Sequence, residues 1–576
     1  MQKKRAARRE RTGGWAFAVF AMLAVAGPLA GWLLWPLSSP RFHIIDDAAK
    51  LAEKQRFLLA QASRGLLPGA APQEGAAAPA PRRPNIVVIL ADDLGKTDIS
   101  LYGSPHLVTP HIDSIGRAGV TFSEGYITSP ICAPSRAGLL TGRYQQRFGF
   151  ELINHERYPR NRLEYYVFKY FFARGDWRVA DAVAVPEFDD ILAQGLPSSE
   201  LTLAELLKPL GYRTALIGKW HLGASPQAIP SRRGFDYQYG FYGASTLYAD
   251  PRRPDIVNQR HSDFSDRFIW AGHREGNCVL RRNDEPVDDD LYVTERIAKE
   301  SSAFIQKNKD APFFLYVPFS APHTPFQVPR RYYDRFAAEP DPNKRVYYGM
   351  IAALDDAVGE ILDSLRAAGL LEQTLLFFLS DNGGATYTHA TDNAPLRGGK
   401  FTNFEGGINI PFLMQWTGRV ESGQQFAPPV SSMDIFATAA AAAGSPLPTD
   451  RTYDGVDLLP HLQRRAPAAA AAEAAPVPVA VPGPVHEALY WRSLYTKAIR
   501  HGRYKLIRDD KADRTVLFDL AADKSETNNL AAVLPAVVAE LLGKLGRWES
   551  ELRSPMWPRV MDYHHRDRDG VYYFPL

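Results

Sequence analysis

The groups in this chain best suited to chemistry fall in six short stretches. Two are pairs of oxygen ligands: Asp92-Asp93, followed by Leu94-Gly95, and Asp381-Asn382, followed by two glycines. Hard oxygen donors of this kind suit Ca²⁺ or Mg²⁺, and the absence of a Cys or His pair among them disfavours zinc. The third is Cys132-Ala-Pro134-Ser135-Arg136, running on to Leu-Leu-Thr-Gly-Arg143. It reads as a helix start with Ser135 able to cap, and a helix N-terminus offers free N–H groups to an anion that Cys132 and Arg136 would face. The fourth is Gly218-Lys219-Trp220-His221-Leu222-Gly223, the fifth is His323 between Pro322 and Thr324-Pro325, and the sixth is Lys400 after Pro395-Leu-Arg-Gly-Gly. Each has a plainer reading: a turn for Asp-Asp-x-Gly, an inert buried thiol, a snorkelling lysine and a core histidine, and a solvated loop charge for Lys400.

The elements that would position these groups favour the chemical reading. Residues 85–90 (Asn-Ile-Val-Val-Ile-Leu) form the continuous apolar, β-branched run of a strand buried on both faces. Similar runs at 212–217, 310–319 and 374–379 precede Lys219, His323 and Asp381. In open α/β sheets ligands gather beyond the carboxyl ends of the strands, where all of these groups lie. Helical spacing at 201–210 and 347–369 supplies crossovers, so the expected fold is α/β: a large, mostly parallel sheet flanked by helices. Near the C-terminus, residues 495–499, 504–508 and 516–520 alternate as short strands and 533–552 as an amphipathic helix, which predicts a smaller α+β subdomain with an antiparallel sheet.

The motifs, in this order, resemble those of the type I sulfatases, arylsulfatase-like enzymes of the alkaline phosphatase superfamily. The resemblance runs from residue 84 to about 530, with the stretch after Phe148 as its main gap. It implies that Cys132 is oxidised by a maturation enzyme to formylglycine (3-oxoalanine), whose hydrated aldehyde attacks the sulfur of a sulfate ester. It implies Ca²⁺, with Mg²⁺ as the substitute, held by Asp92, Asp93, Asp381, Asn382 and residue 132. By the same resemblance Lys219 and Lys400 hold sulfate oxygens, His323, with Lys400, serves the leaving oxygen, His221 is the base that expels sulfate, and Arg136 steadies the nucleophile. A formylglycine-dependent phosphonate or phosphate monoester hydrolase on the same fold is the alternative, set second because Asn382 rather than a His fills the last ligand position. A catalytically silent, membrane-tethered glycan-binding protein is the further alternative, opposed by the full set of catalytic residues.

Composition bounds the rest. With 576 residues the chain exceeds one compact core. The net charge of +3 is misleading: the first twelve residues hold six Lys/Arg against Glu10, a +5 that leaves −2 for the remainder. No basic field is left for nucleic acid. Residues 15–37 form an apolar run behind that basic leader, long enough to cross a bilayer and expected to be a retained anchor, with cleavage as a signal peptide the competitor at Ala24-Val25-Ala26. The expected organisation is therefore 1–40 leader and anchor, 41–83 helical and Ala/Pro-rich linker, 84–464 catalytic domain, 465–484 Ala/Pro-rich loop and 485–576 C-terminal subdomain. The catalytic head would stand in the periplasm or another extracytoplasmic space. Its substrate would be a sulfated small molecule or glycan.

Overall fold

The computed structural model describes residues 30–34, 47–66, 82–154, 158–173, 175–180, 187–261, 266, 269–271, 274–462, 483–567 and 570–576. Most of the apolar run 15–37, most of the 67–83 linker and most of the 465–484 loop lie outside the described residues. Among the described residues no helix is long and apolar enough to cross a membrane.

A ten-stranded mixed sheet forms the centre, and its middle reads, in spatial order, Phe412–Gln415, Thr374–Ser380, Asn85–Asp92, Phe313–Pro322, Arg213–Lys219 and Tyr237–Phe241. The pairings among the last five are parallel, and Phe412–Gln415 joins antiparallel to Thr374–Ser380. The apolar run of the Asn85–Asp92 strand explains its central place. Ile86, Val88 and Leu90 enter one hydrophobic core while Val87, Ile89 and Ala91 enter the other, on the opposite face, all at 0% exposure. The period of two in a strand thus divides one run between two cores, and only a strand covered on both sides can be apolar throughout.

Helices Val293–Lys307 and Pro342–Ala367 contribute to the second core. The longer one begins earlier than its hydrophobic spacing suggests, because Asp341 caps the N–H groups of Asn343 and Lys344 and Pro342 occupies the first turn. Residues 201–210 split into Leu203–Leu207 and a 3₁₀ turn, opened by the reciprocal Thr202–Glu205 capping box. One expectation fails: Ser135 does not cap. The helix is Cys132–Thr141, opened by extended Ile131 with no side-chain cap, so Cys132 itself is its first residue.

The C-terminal subdomain is a four-stranded antiparallel meander, Ala488–Ser493, Thr496–His501, Tyr504–Asp509 and Arg514–Asp519, with helix Pro535–Glu549 packed on it. A further hairpin, Met561–Asp567 with Gly570–Pro575, pairs with Trp177–Val179 from the stretch after Phe148. That hairpin escaped the sequence reading because Asp562-Tyr-His-His-Arg-Asp-Arg-Asp569 carries no apolar alternation.

A buried ionic cluster fastens the meander to the short helix Glu405–Ile408 and to the small sheet that holds Tyr126 and Asn409. Lys505, fully buried, reaches Glu405 at 2.8 Å and Glu526 at 2.9 Å, and Tyr126 and Asn409 each donate to Glu405 at 2.8 Å. Removing one partner of such a cluster leaves charge without compensation. Lys505→Met is expected to lower the unfolding free energy of the full chain by about 3–5 kcal/mol, read from a urea transition. A loss below about 1 kcal/mol would show that the two carboxylates find other relief.

Candidate active site

The six stretches converge at the carboxyl end of the sheet. Asp92 ends its strand and Asp93 follows at φ 63°, a left-handed backbone that turns its carboxylate back beside Asp92. Asp381 and Asn382 follow the neighbouring strand Thr374–Ser380, and the two acidic turns are tied together. Asp381 N–H donates to the Ala91 carbonyl at 3.0 Å, and Asp93 N–H to Asp381 Oδ1 at 3.3 Å. The Ser380 hydroxyl accepts from Leu94 N–H at 3.0 Å and donates to the Asn382 carbonyl at 2.7 Å. Lys219 closes Arg213–Lys219, His221 lies two residues on at φ 59°, and His323 follows Phe313–Pro322.

The contacts are close. Lys219 Nζ donates to Asp92 Oδ2 at 2.6 Å, and Cys132 Sγ lies 3.5 Å from Asp92 Oδ1. Arg136 donates through Nε to Asp381 Oδ2 at 2.8 Å and through Nη1 to the Lys219 carbonyl at 3.0 Å, while its Nη2 pairs ionically at 2.7 Å with Asp381 Oδ2 and 3.4 Å with Asp92 Oδ2. Lys400 Nζ sits 2.8 Å from Asp93 Oδ1, and His323 Nε2 lies 3.6 Å from Asp93 Oδ2. One ligand atom each from Asp92, Asp93, Cys132 and His323 lie within 4.8 Å of one another. All ten residues singled out in the sequence are buried, so Lys400 is no solvated loop charge.

Burial sets the electrostatics. It opposes the charge of Asp92 and Asp93, but Lys219, His323 and Arg136 around the first, and Lys400 and His323 around the second, hold both carboxyls below their usual range. Asp381 is pushed up by burial and by Asp92 despite Arg136. Burial, with Asp381, pushes the Cys132 thiol up, so as a thiol it stays protonated and is a poor nucleophile. His221 is driven well below its ordinary value by burial and then by Lys219 and Arg136, which keeps its imidazole neutral. Neither of its ring nitrogens has a hydrogen-bond partner among the described residues. Burial and Lys400 lower His323 as well, while Asp93 outweighs burial and keeps Lys400 charged.

The donor set fits a hard cation. Asn382 Nδ2 is committed to Asp93 Oδ1 at 2.7 Å and to the Gly383 carbonyl at 2.9 Å, which leaves Asn382 Oδ1 a buried acceptor without a donor. A bare amide oxygen beside three carboxylates is what an oxygen-coordinated divalent ion requires. Two supporting residues were not found from sequence. Ser380 joins the acidic turns, and Asn393 accepts from Gly384 N–H and donates to the Gly384 and Gly398 carbonyls at 3.0 and 3.1 Å, holding the Lys400 loop against Asn382. Nothing in the residue type or spacing of either marks it.

The sulfatase family profile matches residues 84–445. N-acetylgalactosamine-6-sulfatase of Mus musculus is 34% identical over 418 residues, covering 71% of this chain and 70% of that protein. Steryl-sulfatase of Rattus norvegicus is 33% identical over 448 residues, covering 67% and 71% respectively. Among solved structures, Ps i-CgsB in complex with k-i-k-neocarrahexaose superposes with a TM-score of 0.66 at 29% identity, over 83% of this chain and 95% of that one. The chain belongs to the sulfatase family and is an enzyme of the sulfuric ester hydrolase class.

Proposed function

We propose that the protein hydrolyses a sulfate monoester to an alcohol and inorganic sulfate, with residue 132, converted from Cys to formylglycine by a maturation enzyme, as the nucleophile. The observation that carries this reading is the convergence of Cys132, Asp92, Asp93 and His323 within 4.8 Å, ringed by Arg136, Lys219 and Lys400. As an unactivated thiol in an acidic pocket Cys132 is unsuited to attack, whereas the geminal hydroxyls of a hydrated aldehyde supply both an attacking oxygen and a second proton to remove. A Ca²⁺ ion, with Mg²⁺ as the substitute, held by Asp92, Asp93, Asp381 and Asn382, would supply Lewis acidity toward a sulfate oxygen. Lys219 and Lys400 orient sulfate oxygens. Arg136 balances Asp92 and Asp381 beside the nucleophile. His323 gives a proton to the departing alcohol, and His221, neutral and unpartnered, takes the proton whose loss releases sulfate.

The sugar sulfatases among the relatives support a sulfated glycan as substrate, and the steryl-sulfatases make a small sulfated alcohol the second candidate. The division into 1–40, 41–83, 84–464, 465–484 and 485–576 is retained in this reading. Residues 1–37 would carry the head to an extracytoplasmic space, as a retained anchor or a cleaved leader. Turnover of a phosphonate ester in preference to a sulfate ester would favour the alternative hydrolase.

Cys132→Ala should fold normally and lose more than about 10³-fold in turnover, as when a covalent nucleophile is deleted elsewhere. Mass spectrometry of the wild-type peptide spanning residue 132 should find an aldehyde or its hydrate in place of the thiol. Retention of activity within about tenfold by the variant would remove the nucleophile from this mechanism.

Chelation should abolish activity and lower the melting temperature. Ca²⁺ returned at about 100 times its Kd should restore about 2.7 kcal/mol of stability by mass action. Asn382→Leu should lose most of that thermal gain, which can be read without any substrate.

The two histidines should separate by leaving group. His323→Ala should cost on the order of 10²–10⁴-fold for a simple alcohol and far less for an acidic phenol, whereas His221→Ala should cost both esters alike. The reverse pattern would exchange the two roles.

A further inference from the structure

The stretch after Phe148 carries a surface that the sulfatase site does not use. Helix Arg162–Val167, capped by the Asn161 side chain, continues into a π-turn over Phe168–Phe172. Its inner side is anchored: Phe168 packs against the main core, and Tyr165 Oη donates to the Ala180 carbonyl at 3.3 Å. Its outer side is apolar and bare. Leu163, Val167, Tyr170 and Phe171 are 43, 36, 65 and 62% exposed, the first two one turn apart on the α-helix and the last two on the π-turn that continues it. Single exposed apolar residues are ordinary, but a contiguous stripe of four with two aromatics marks an interaction surface.

The occupant is indicated by what already touches this stripe. Trp32 lies with its ring centroid 6.3 Å from that of Tyr166, which in turn stacks on Tyr170 at 6.1 Å. Arg162 sits over the Trp32 ring at 4.8 Å. Trp32 and Leu34 are themselves 46 and 58% exposed, so they extend the stripe and do not cover it. They belong to the far end of the apolar run 15–37, which is of bilayer-spanning length and follows six basic residues. Tyr and Trp rings with Arg and Lys at their rim, here Arg160, Arg162 and Lys169, are the composition of a segment lying at a membrane–water interface.

We propose that the 162–172 helix rests on the phospholipid surface from which residues 15–37 emerge, with Leu163, Val167, Tyr170 and Phe171 in the headgroup–acyl boundary. This contact is additional to the sulfatase reading and does not depend on it. It would fix the head against the bilayer. The next element, Trp177–Val179, packs Trp177 against Phe401 at 5.1 Å between ring centroids, so the contact would lie one short connection away from the Lys400 loop.

The test uses the full chain, Cys278→Ser, carrying an environment-sensitive fluorophore at Phe171→Cys or, as control, at Val108→Cys, which is 79% exposed elsewhere on the head. Each is reconstituted with vesicles of phosphatidylethanolamine and phosphatidylglycerol. The label at 171 is expected to shift to the blue and to be quenched by nitroxides in the acyl chains, and the label at 108 to do neither. A label at 171 as open to aqueous iodide as the label at 108 would overturn the proposal. So would energy transfer between labels at 171 on different copies in the absence of vesicles, which would make the stripe a self-association surface. Sulfate-ester turnover is measured on the same samples, so an inactive enzyme with a buried label, or an active one with an exposed label, tells the two readings apart.

Discussion

The constraint on which the structure turns is that three carboxylates, Asp92, Asp93 and Asp381, are taken out of water within one small volume. Isolated, each would neutralise or unfold the site, since burying an unpaired charge costs several kcal/mol. Arg136, Lys219 and Lys400 arrive from three different parts of the chain to offset that cost, so that three carboxyl groups meet three cations. The parallel sheet is what makes the meeting possible. Neighbouring strands bring the chain to the same edge at each crossing, and hydrogen bonds between the two acidic turns fix the carboxylates.

The lower layers of the structure serve this balance. Lys400 reaches Asp93 only because its loop is held from both sides. Asn393 holds it on the sheet side. On the other side Arg397 donates to Asp567 Oδ2 at 3.0 Å and to the Glu526 carbonyl at 2.8 Å, with its guanidinium 4.1 Å from the Phe404 ring centroid. Asp567 and Glu526 belong to the C-terminal subdomain. A site built at the end of the large sheet thus depends for one of its cations on residues more than a hundred positions away, and the buried Lys505 cluster keeps that support in register.

Much of this was legible in the sequence, for a physical reason. Strands buried on both faces leave continuous apolar runs, and polar residues placed directly after such runs stand out, so four of the sheet's strands were found and the residues singled out at their ends lie together. Helix boundaries were less legible where capping decided them: Asp341 extended one helix, and Ile131, which has no capping side chain, opened another. The Met561–Asp567 hairpin was invisible because its partners are a distant strand and its faces are charged or aromatic, so local periodicity carries nothing. Ser380 and Asn393 act through hydrogen bonds to backbone, and backbone partners leave no trace in residue type.

Lys219 and Lys400 carry a consequence of their own. In this structure both ammonium groups are spent on Asp92 and Asp93, at 2.6 and 2.8 Å. An anion that recruits either lysine competes with a carboxylate already bonded to it, so anion affinity and the charge of the Asp92–Asp93 pair are linked.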